Sequence, residues 1–526
     1  MNLQRQAAML AVLGLWAPSP ASARVVLVGI DGGSWPLIDA AVARGELPGF
    51  GALARRGVSA ELETVEPVTS PAVWTSIATG RRPEIHGVTD FFRTRLDVAA
   101  PTVFERLAAQ GRRVGLYDYL ISWPPPALPR GFAIPGWLRR DGRVEPPDVF
   151  ARAGLTPYAF SVDGVRTPDA FVEAIRRELE QKPARFNRLA EVFELDLGAV
   201  VFYALDAAGH RFWRAAFPDE FATASPASEA RYRAVIADTL SGLDRALSEI
   251  AAALGLDDTL LVVSDHGLQA RDRLDRIWSL HLDERLAGTP FDPGRNAVVI
   301  DGDFVAGTLR VLPGPFEQRE ATLERLVALL ASAQAPDGEP LIDVEVLDVA
   351  PRPPQARRWW WQRLRQWAIR LYVERFFDVR LDRPAHAYVF ARPRSEPLDR
   401  LWPDGNVRFA GEVMPIGALV HVDDFTGGHH ETGIFLAAGG AIRRVPERGE
   451  LSVLDVAPLL FYLAGSGVPD DLEGRVPAAW IAPEHLAAHP IRRVPASELP
   501  GLPREAEPTP EDAVLRERLR ALGYLE

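Results

Sequence analysis

The amino-acid sequence predicts an α/β fold: a doubly wound, mostly parallel sheet flanked by helices, with an inserted α+β cap. Two observations carry this expectation. Short, nearly continuous apolar runs with β-branched residues recur along the chain, the pattern of strands buried on both faces of a parallel sheet. Stretches of helical periodicity separate them, and this grammar breaks off between about residues 300 and 415 before it returns.

Residues 1–23 read as a secretory signal. Arg5 is the single basic side chain of the opening residues, Ala7 to Trp16 form an apolar run, and Ala21-Ser22-Ala23 is a small-residue cleavage pattern. A run of about ten apolar residues is too short to cross a bilayer. Export to the periplasm or the extracellular space is therefore expected.

The first part of the core spans 24–300. Its strands are Arg24 to Ile30, running into Asp31-Gly32-Gly33; Arg113 to Tyr117; Gly198 to Leu205, running into Asp206; and Thr259 to Ser264, running into Asp265-His266-Gly267. Helices are expected at Phe171 to Glu180 and Glu229 to Leu254. The cap, 301–415, holds a strand at Gly307 to Leu312, a helix at Phe316 to Ala331, a strand at Leu341 to Val349 and an Arg/Trp-rich stretch. Core grammar resumes over 416–490, with a strand at Gly433 to Gly439 and a helix around Ser452 to Leu463. A Pro-rich segment and a terminal helix, Glu511 to Leu522, fill 491–526.

Composition narrows the function. Among 526 residues, Asp and Glu outnumber Lys and Arg 71 to 59, a formal charge of −12, so no global basic field collects a nucleic acid polymer. A hydrophobic share of 47% with 25% charged residues excludes wholesale disorder and a multi-span membrane bundle alike. Cysteine is absent, which removes disulfides, thiolate metal sites and cysteine nucleophiles. Any metal must be held by His, Asp and Glu.

Such residues stand at strand ends. Asp31, Asp206 and Asp265-His266 each follow an apolar run, and open α/β sheets bind ligands outside the carboxyl ends of their strands. Carboxylates buried together need counter-charge, which divalent cations supply. His210 lies four residues after Asp206, His266 follows Asp265, and His429 precedes the strand at Gly433. Asp31, Asp206, His210, Asp265, His266 and His429 make two sets of N/O ligands suited to two zinc-like ions. In the block Thr69 to Gly87, a hydroxyl residue opens a helix that closes at Gly80. A helix start favours an anion, and a metal can turn a hydroxyl there into a nucleophile.

These residues resemble those of the alkaline phosphatase superfamily and, within it, the type I phosphodiesterase/nucleotide pyrophosphatase family. The resemblance rests on Val28-Gly29-Ile30-Asp31-Gly32, Ser70 to Gly87, Asp206 to His210, Ser264-Asp265-His266-Gly267 and His429 to Gly433, in the family's order. It implies an alkaline-phosphatase-like fold and hydrolysis of a small-molecule phosphate ester through a phosphoserine and two metal ions. Asp31, Asp265 and His266 would hold one ion; Asp206, His210 and His429 would hold the other. Ser70 would be the nucleophile, with Thr69 as its fallback, and His430 would not be a ligand. A phosphotransferase or phosphomutase on the same scaffold is the alternative. Pro71-Ala72 stands where many nucleotide-cleaving members have Phe-Pro, and Ala72 and Trp74 replace residues that related sulfatases need.

Some features stand outside this constellation. In 357–372, Trp360, Leu364, Trp367 and Leu371 recur at helical spacing beside several arginines. That stretch reads either as a cap helix packed on the core or as an interfacial helix making peripheral membrane contact. His86, His281, His386, His421, His485 and His489 have no ligand spacing and are assigned structural or surface roles.

Overall fold

The computed structural model describes residues 23–162, 168–221, 227–271, 276–280, 298–300, 307–348, 385–401 and 405–502. Residues 1–22 of the signal segment, the stretch 357–372 and the terminal helix at 511–522 lie outside them. Contacts divide the chain into two compact units, Met1–Asp272 with Thr426–Leu522, and Arg273–Phe425 with Gly523–Glu526.

The first unit is built on an eight-stranded sheet. Its strands and the short ladder beside it are β1 (Val25–Ile30), β2 (Val58–Glu63), β3 (Val114–Tyr119), β4 (Phe132–Pro135), β5 (Leu197–Phe202), β6 (Thr259–Val263), β7 (Gly267–Ala270), β8 (Gly427–His430), β9 (Thr432–Gly439) and β10 (Gly449–Ser452). The sheet order is β10-β2-β9-β6-β1-β5-β3-β4, and every pairing except those of β9 is parallel. β7 and β8 pair with each other outside the sheet. Every residue of β1, β3, β5 and β6 is buried, as continuous apolar runs require.

The register places the site. β1 lies between β5 and β6, with Ile30 opposite Phe202 and Gly29 opposite Val263. The segments that leave these strands therefore start side by side at one edge, the position where open α/β sheets bind ligands.

Helices used below are α1 (Trp35–Ala43), α2 (Pro48–Arg56), α3 (Ser70–Thr79), α4 (Val103–Ala109), α5 (Pro168–Val192), α6 (Ala204–Ala216), α7 (Val235–Ala252) and α8 (Val456–Leu463). All residues of α3 are buried; Pro71 sits in its first turn, and Gly80 ends it at φ 65 with its N–H on Ser76 O. Gly29 lets α3 approach β1, because a Cβ there would stand 2.4 Å from Trp74 Cη2.

Some elements differ from the sequence expectation. α5 continues beyond Glu180 to Val192 through Pro183, because Phe171, Ile175, Leu179, Phe186 and Leu189 form one buried stripe that the packing rewards despite the lost N–H. β5 ends at Phe202, and Asp206 belongs to the first turn of α6 instead of following the strand directly. Ala204 to Ala208 favour helix, so the chain turns before the carboxylate. At Ser452 a 3₁₀ turn (Val453–Asp455) comes first, with Leu454 N donating to Ser452 Oγ at 3.3 Å, and α8 follows.

The second unit has its own sheet, ordered Ile342–Asp348, Ala387–Pro393, Gly307–Val311 and Val298–Ile300, all antiparallel. The helix Phe316–Ala331 contributes Leu326 and Leu330 to a core with Leu309, Val389 and Val407. This unit extends past 301–415 on both sides because Arg276–Leu280 pairs antiparallel with Val420–Asp424. Among the described residues no helix is long and apolar enough to cross a membrane.

His86 ties the block after α3 to the helix. It is fully buried; its Nδ1 accepts the Val88 N–H at 3.2 Å, which leaves Nε2 to donate to Ser76 Oγ at 2.9 Å. Burial holds its pKa down from 6.5 to about 4. The unfolded chain therefore binds a proton here between those values that the folded chain refuses, and stability falls as pH drops through that window. Denaturant titrations should show a loss of roughly 2–3 kcal/mol from this residue between pH 7 and pH 4.5. His86→Gln should flatten that slope; an equal slope in both proteins would show that His86 does not carry it.

Candidate active site

Asp31 follows β1 and is held on both sides by backbone: its N–H donates to Phe202 O at 2.9 Å, and its carbonyl accepts Asp206 N at 3.1 Å. Its Oδ2 accepts the Trp74 indole N–H at 3.2 Å, and its Oδ1 accepts the Ser70 hydroxyl at 3.4 Å. Gly32, at φ 74, turns the chain immediately afterwards, and Gly33 N donates to Ser264 Oγ at 2.8 Å. β1 and the end of β6 are thereby pinned together.

Asp265 and His266 follow β6. Asp265 Oδ1 accepts Gly32 N at 3.4 Å, whereas its Oδ2 is buried without a hydrogen-bond partner, 3.4 Å from His266 Nε2. The Ser264 hydroxyl donates to His266 O, and His266 Nδ1 meets Gly267 O at 3.0 Å. His266 Nε2 then lies 3.4 Å from both Asp31 Oδ1 and Ser70 Oγ.

His210 sits one turn after Asp206 on α6. Its Nδ1 meets Gly427 O at 2.9 Å and its Nε2 faces Asp206 Oδ1 at 3.3 Å. The β7–β8 ladder sets His429 opposite Leu268 and His430 opposite Gly267, so the two adjacent histidines point to opposite faces. His429 Nδ1 meets Val68 O at 2.8 Å, its ring stacks on His266 with centroids 3.7 Å apart, and its Nε2 reaches to 3.2 Å from His210 Nε2. His430 is exposed, and its Nδ1 accepts the Thr432 N–H.

Ligand atoms converge in two groups, Asp206 with His210 and His429, and Asp31 with Asp206 and His266, each within 4.8 Å. The sequence reading grouped Asp265 with Asp31 and His266. In the structure Asp206 joins that pair as well, because its Oδ1 lies 3.9 Å from His266 Nε2 and 3.7 Å from His429 Nε2. Asp265 stands beside them through the His266 contact.

The donor set fits divalent cations. Each Nδ1 of His210, His266 and His429 faces a backbone carbonyl, a pure acceptor, so the ring proton belongs there and Nε2 carries a lone pair. Two such lone pairs 3.2 Å apart, beside a carboxylate, repel unless a cation or proton lies among them. The carboxylates show the same strain. Burial, then Asp265 and Asp206, push the Asp31 pKa well above the ordinary carboxylate range, and burial raises that of Asp265. Asp206 goes the other way: burial raises it, but His210 foremost, with His266 and His429, outweighs this. His210 is raised, its burial overcome by Asp206, while burial lowers His429.

Of the two candidate hydroxyls, Ser70 makes the contacts with Asp31 and His266. Thr69 is the extended residue before α3; it makes no side-chain capping bond, and its Oγ1 is buried without a hydrogen-bond partner. Trp74, which holds Asp31, was not singled out from the sequence as a site residue. Its place four residues after Ser70 on one helix face was the available signal. The carbonyls of Val68, Gly267 and Gly427 have no side-chain signature at all. Of the remaining histidines, His386 pairs with Glu320 at 3.0 Å in the second unit.

The chain matches no curated protein. Among solved structures it is similar to phosphonoacetate hydrolase from Sinorhizobium meliloti 1021 in complex with phosphonoformate, at 16% identity, covering 84% of this chain and 95% of that one, with a TM-score of 0.40. It is also similar to murine ectonucleotide pyrophosphatase/phosphodiesterase 5, an inactive variant in complex with AMP, at 16% identity over 88% and 100% of the two chains, with a TM-score of 0.38. Residues 25–363 match the type I phosphodiesterase/nucleotide pyrophosphatase family itself. The chain belongs to that family and is a hydrolase of phosphoric ester or phosphoanhydride bonds.

Proposed function

We propose that the protein is an exported, metal-dependent phosphodiesterase of small phosphate esters that works through a phosphoserine on Ser70 and two divalent cations, zinc by the chemistry of the ligands. Asp206, His210 and His429 would hold one cation; Asp31, Asp265 and His266 would hold the other. The observation that carries this reading is the set of imidazoles whose Nδ1 atoms are all committed to carbonyls while their Nε2 atoms face carboxylates and one another. When bound, such cations lower the pKa of a hydroxyl or water and neutralise charge on a phosphoryl group.

The chain's own residues supply the rest. Ser70 Oγ gives up its proton and attacks phosphorus in line, and the leaving oxygen departs from the opposite side and takes up a proton; water then cleaves the phosphoserine along the same line, its oxygen staying on the phosphate and one of its protons restoring the serine hydroxyl. α3 fixes Ser70 rigidly, since the whole helix is buried and Trp74 anchors it to Asp31. Phosphoryl oxygens would meet a helix start where Pro71 has no N–H to offer, so the unpaired N–H groups there are fewer than usual. The charged, apolar and small-residue order of 1–23 supports export.

Ser70→Ala is expected to keep the fold, at a cost of about 1 kcal/mol for the lost hydroxyl, and to lower kcat on bis-p-nitrophenyl phosphate roughly 10³-fold or more. A phosphoenzyme trapped at Thr69, or unchanged turnover, would remove Ser70 from the role. In metal analyses of purified protein, His429→Ala should lose about one of two bound equivalents, since four-coordinate sites of this kind need each protein ligand, while His430→Ala keeps both. The reverse result would mean that the β7–β8 register has been misassigned.

A further inference from the structure

Lys182 is the one lysine of a chain whose other cationic side chains are arginines. It is fully buried on α5, and nothing in the proposed chemistry uses it. An ammonium has three N–H donors and no acceptor. It donates to the Glu178 carboxylate one turn earlier on α5 and to Val201 O of β5 at 2.7 Å, and it forms an ion pair with Asp118 Oδ2 of β3 at 2.8 Å. The rings of Tyr117, Phe160, Phe202 and Tyr203 surround it, with centroids 5.2 to 6.0 Å away. A planar guanidinium with five donors would not satisfy acceptors that converge on one point.

The network continues to the end of β5. Both Glu178 oxygens accept the Tyr203 N–H at 3.1 Å, and the Tyr203 hydroxyl donates to Asp118 O. Asp118 is held at φ 56, where the β3–β4 register slips between Tyr117 and Tyr119, and its Oδ2 also accepts Phe160 N at 3.0 Å. A non-glycine residue keeps that conformation only where its surroundings fix it. Tyr203 immediately precedes α6, and Asp206 lies in the first turn of α6 with His210 one turn later.

We propose that Lys182, Glu178 and Asp118 are positioning residues: this buried charge cluster clamps the turn between β5 and α6 and so sets where Asp206 meets His210 and His429. The proposal rests on reading those three residues as a cation-binding set. Without the ammonium, the two buried carboxylates lose the counter-charge they share, and one takes up a proton or draws in water. Either change weakens the hold of the Glu178 oxygens on the Tyr203 N–H and lets α6 shift against β1.

The test uses full-length Lys182→Met, Lys182→Arg and Glu178→Gln, with Leu189→Ala as a core truncation on the same helix away from the cluster. Zinc affinity by chelator competition, melting temperature, and kcat and KM on bis-p-nitrophenyl phosphate are read for each. Lys182→Met should weaken one zinc equivalent about 10- to 100-fold and lower kcat by a similar factor, with KM within about twofold. Lys182→Arg should not rescue it, Glu178→Gln should move the same way by less, and Leu189→Ala should melt lower with affinity and kcat kept. Cluster variants that merely melt lower, as Leu189→Ala does, would overturn the proposal. Should Lys182→Met fail to fold, Glu178→Gln decides by the same criteria. A wild-type protein that binds no zinc overturns the reading of the site instead, and kcat in the cluster variants then decides positioning.

Discussion

The parallel alignment of β5, β1 and β6 is the constraint on which the rest depends. It forces the chain that leaves each strand into one place, and Asp31, Asp206 and Asp265 are buried there together. Burying a carboxylate without a partner is costly, so neighbouring elements can be understood as answers to that cost. Trp74 and Ser70 bring hydrogen-bond donors to Asp31, and Gly32 N reaches Asp265. These donors do not suffice, as the raised pKa values of Asp31 and Asp265 and the bare Oδ2 of Asp265 show. Cationic charge is what the arrangement still asks for.

Orientation of the histidines is a backbone matter. Val68 O before α3, Gly267 O in β7 and Gly427 O in β8 each hold one Nδ1, so segments distant in sequence decide which nitrogen faces the carboxylates. The β7–β8 ladder is the bracket that holds two of these carbonyls and sends His429 inward while His430 faces out. Beneath, α3 is braced against β1 by the close approach at Gly29, and the start of α6 is braced by Lys182 and its carboxylates. The site thus sits on packed elements from several sides, which is what holds reacting groups in a fixed geometry.

Much of this was legible in the sequence because it is local. Continuous apolar runs gave away the central strands, Ser70 and Gly80 bracketed α3, and the helix Phe316–Ala331 follows its own periodicity. The candidate ligands were legible as residue types at strand ends, since acids and imidazoles beside buried strands need a chemical reason. Tertiary structure decided what lies far apart along the chain. Asp206 stands on a helix and touches both ligand groups, because the turn after β5 comes before it and Asp31 O takes its N–H. The longer course of α5 follows from a buried stripe that overrides Pro183. Trp74 became part of the site only when α3 lay against β1, and Lys182, the chain's one lysine, acquired a role only where β3, α5 and β5 meet around it. A sequence pattern records periodicity and turn chemistry over a few residues. Which carbonyl faces which ring, and which carboxylates share one buried space, depends on strand order and register, and these are fixed by contacts between segments hundreds of residues apart.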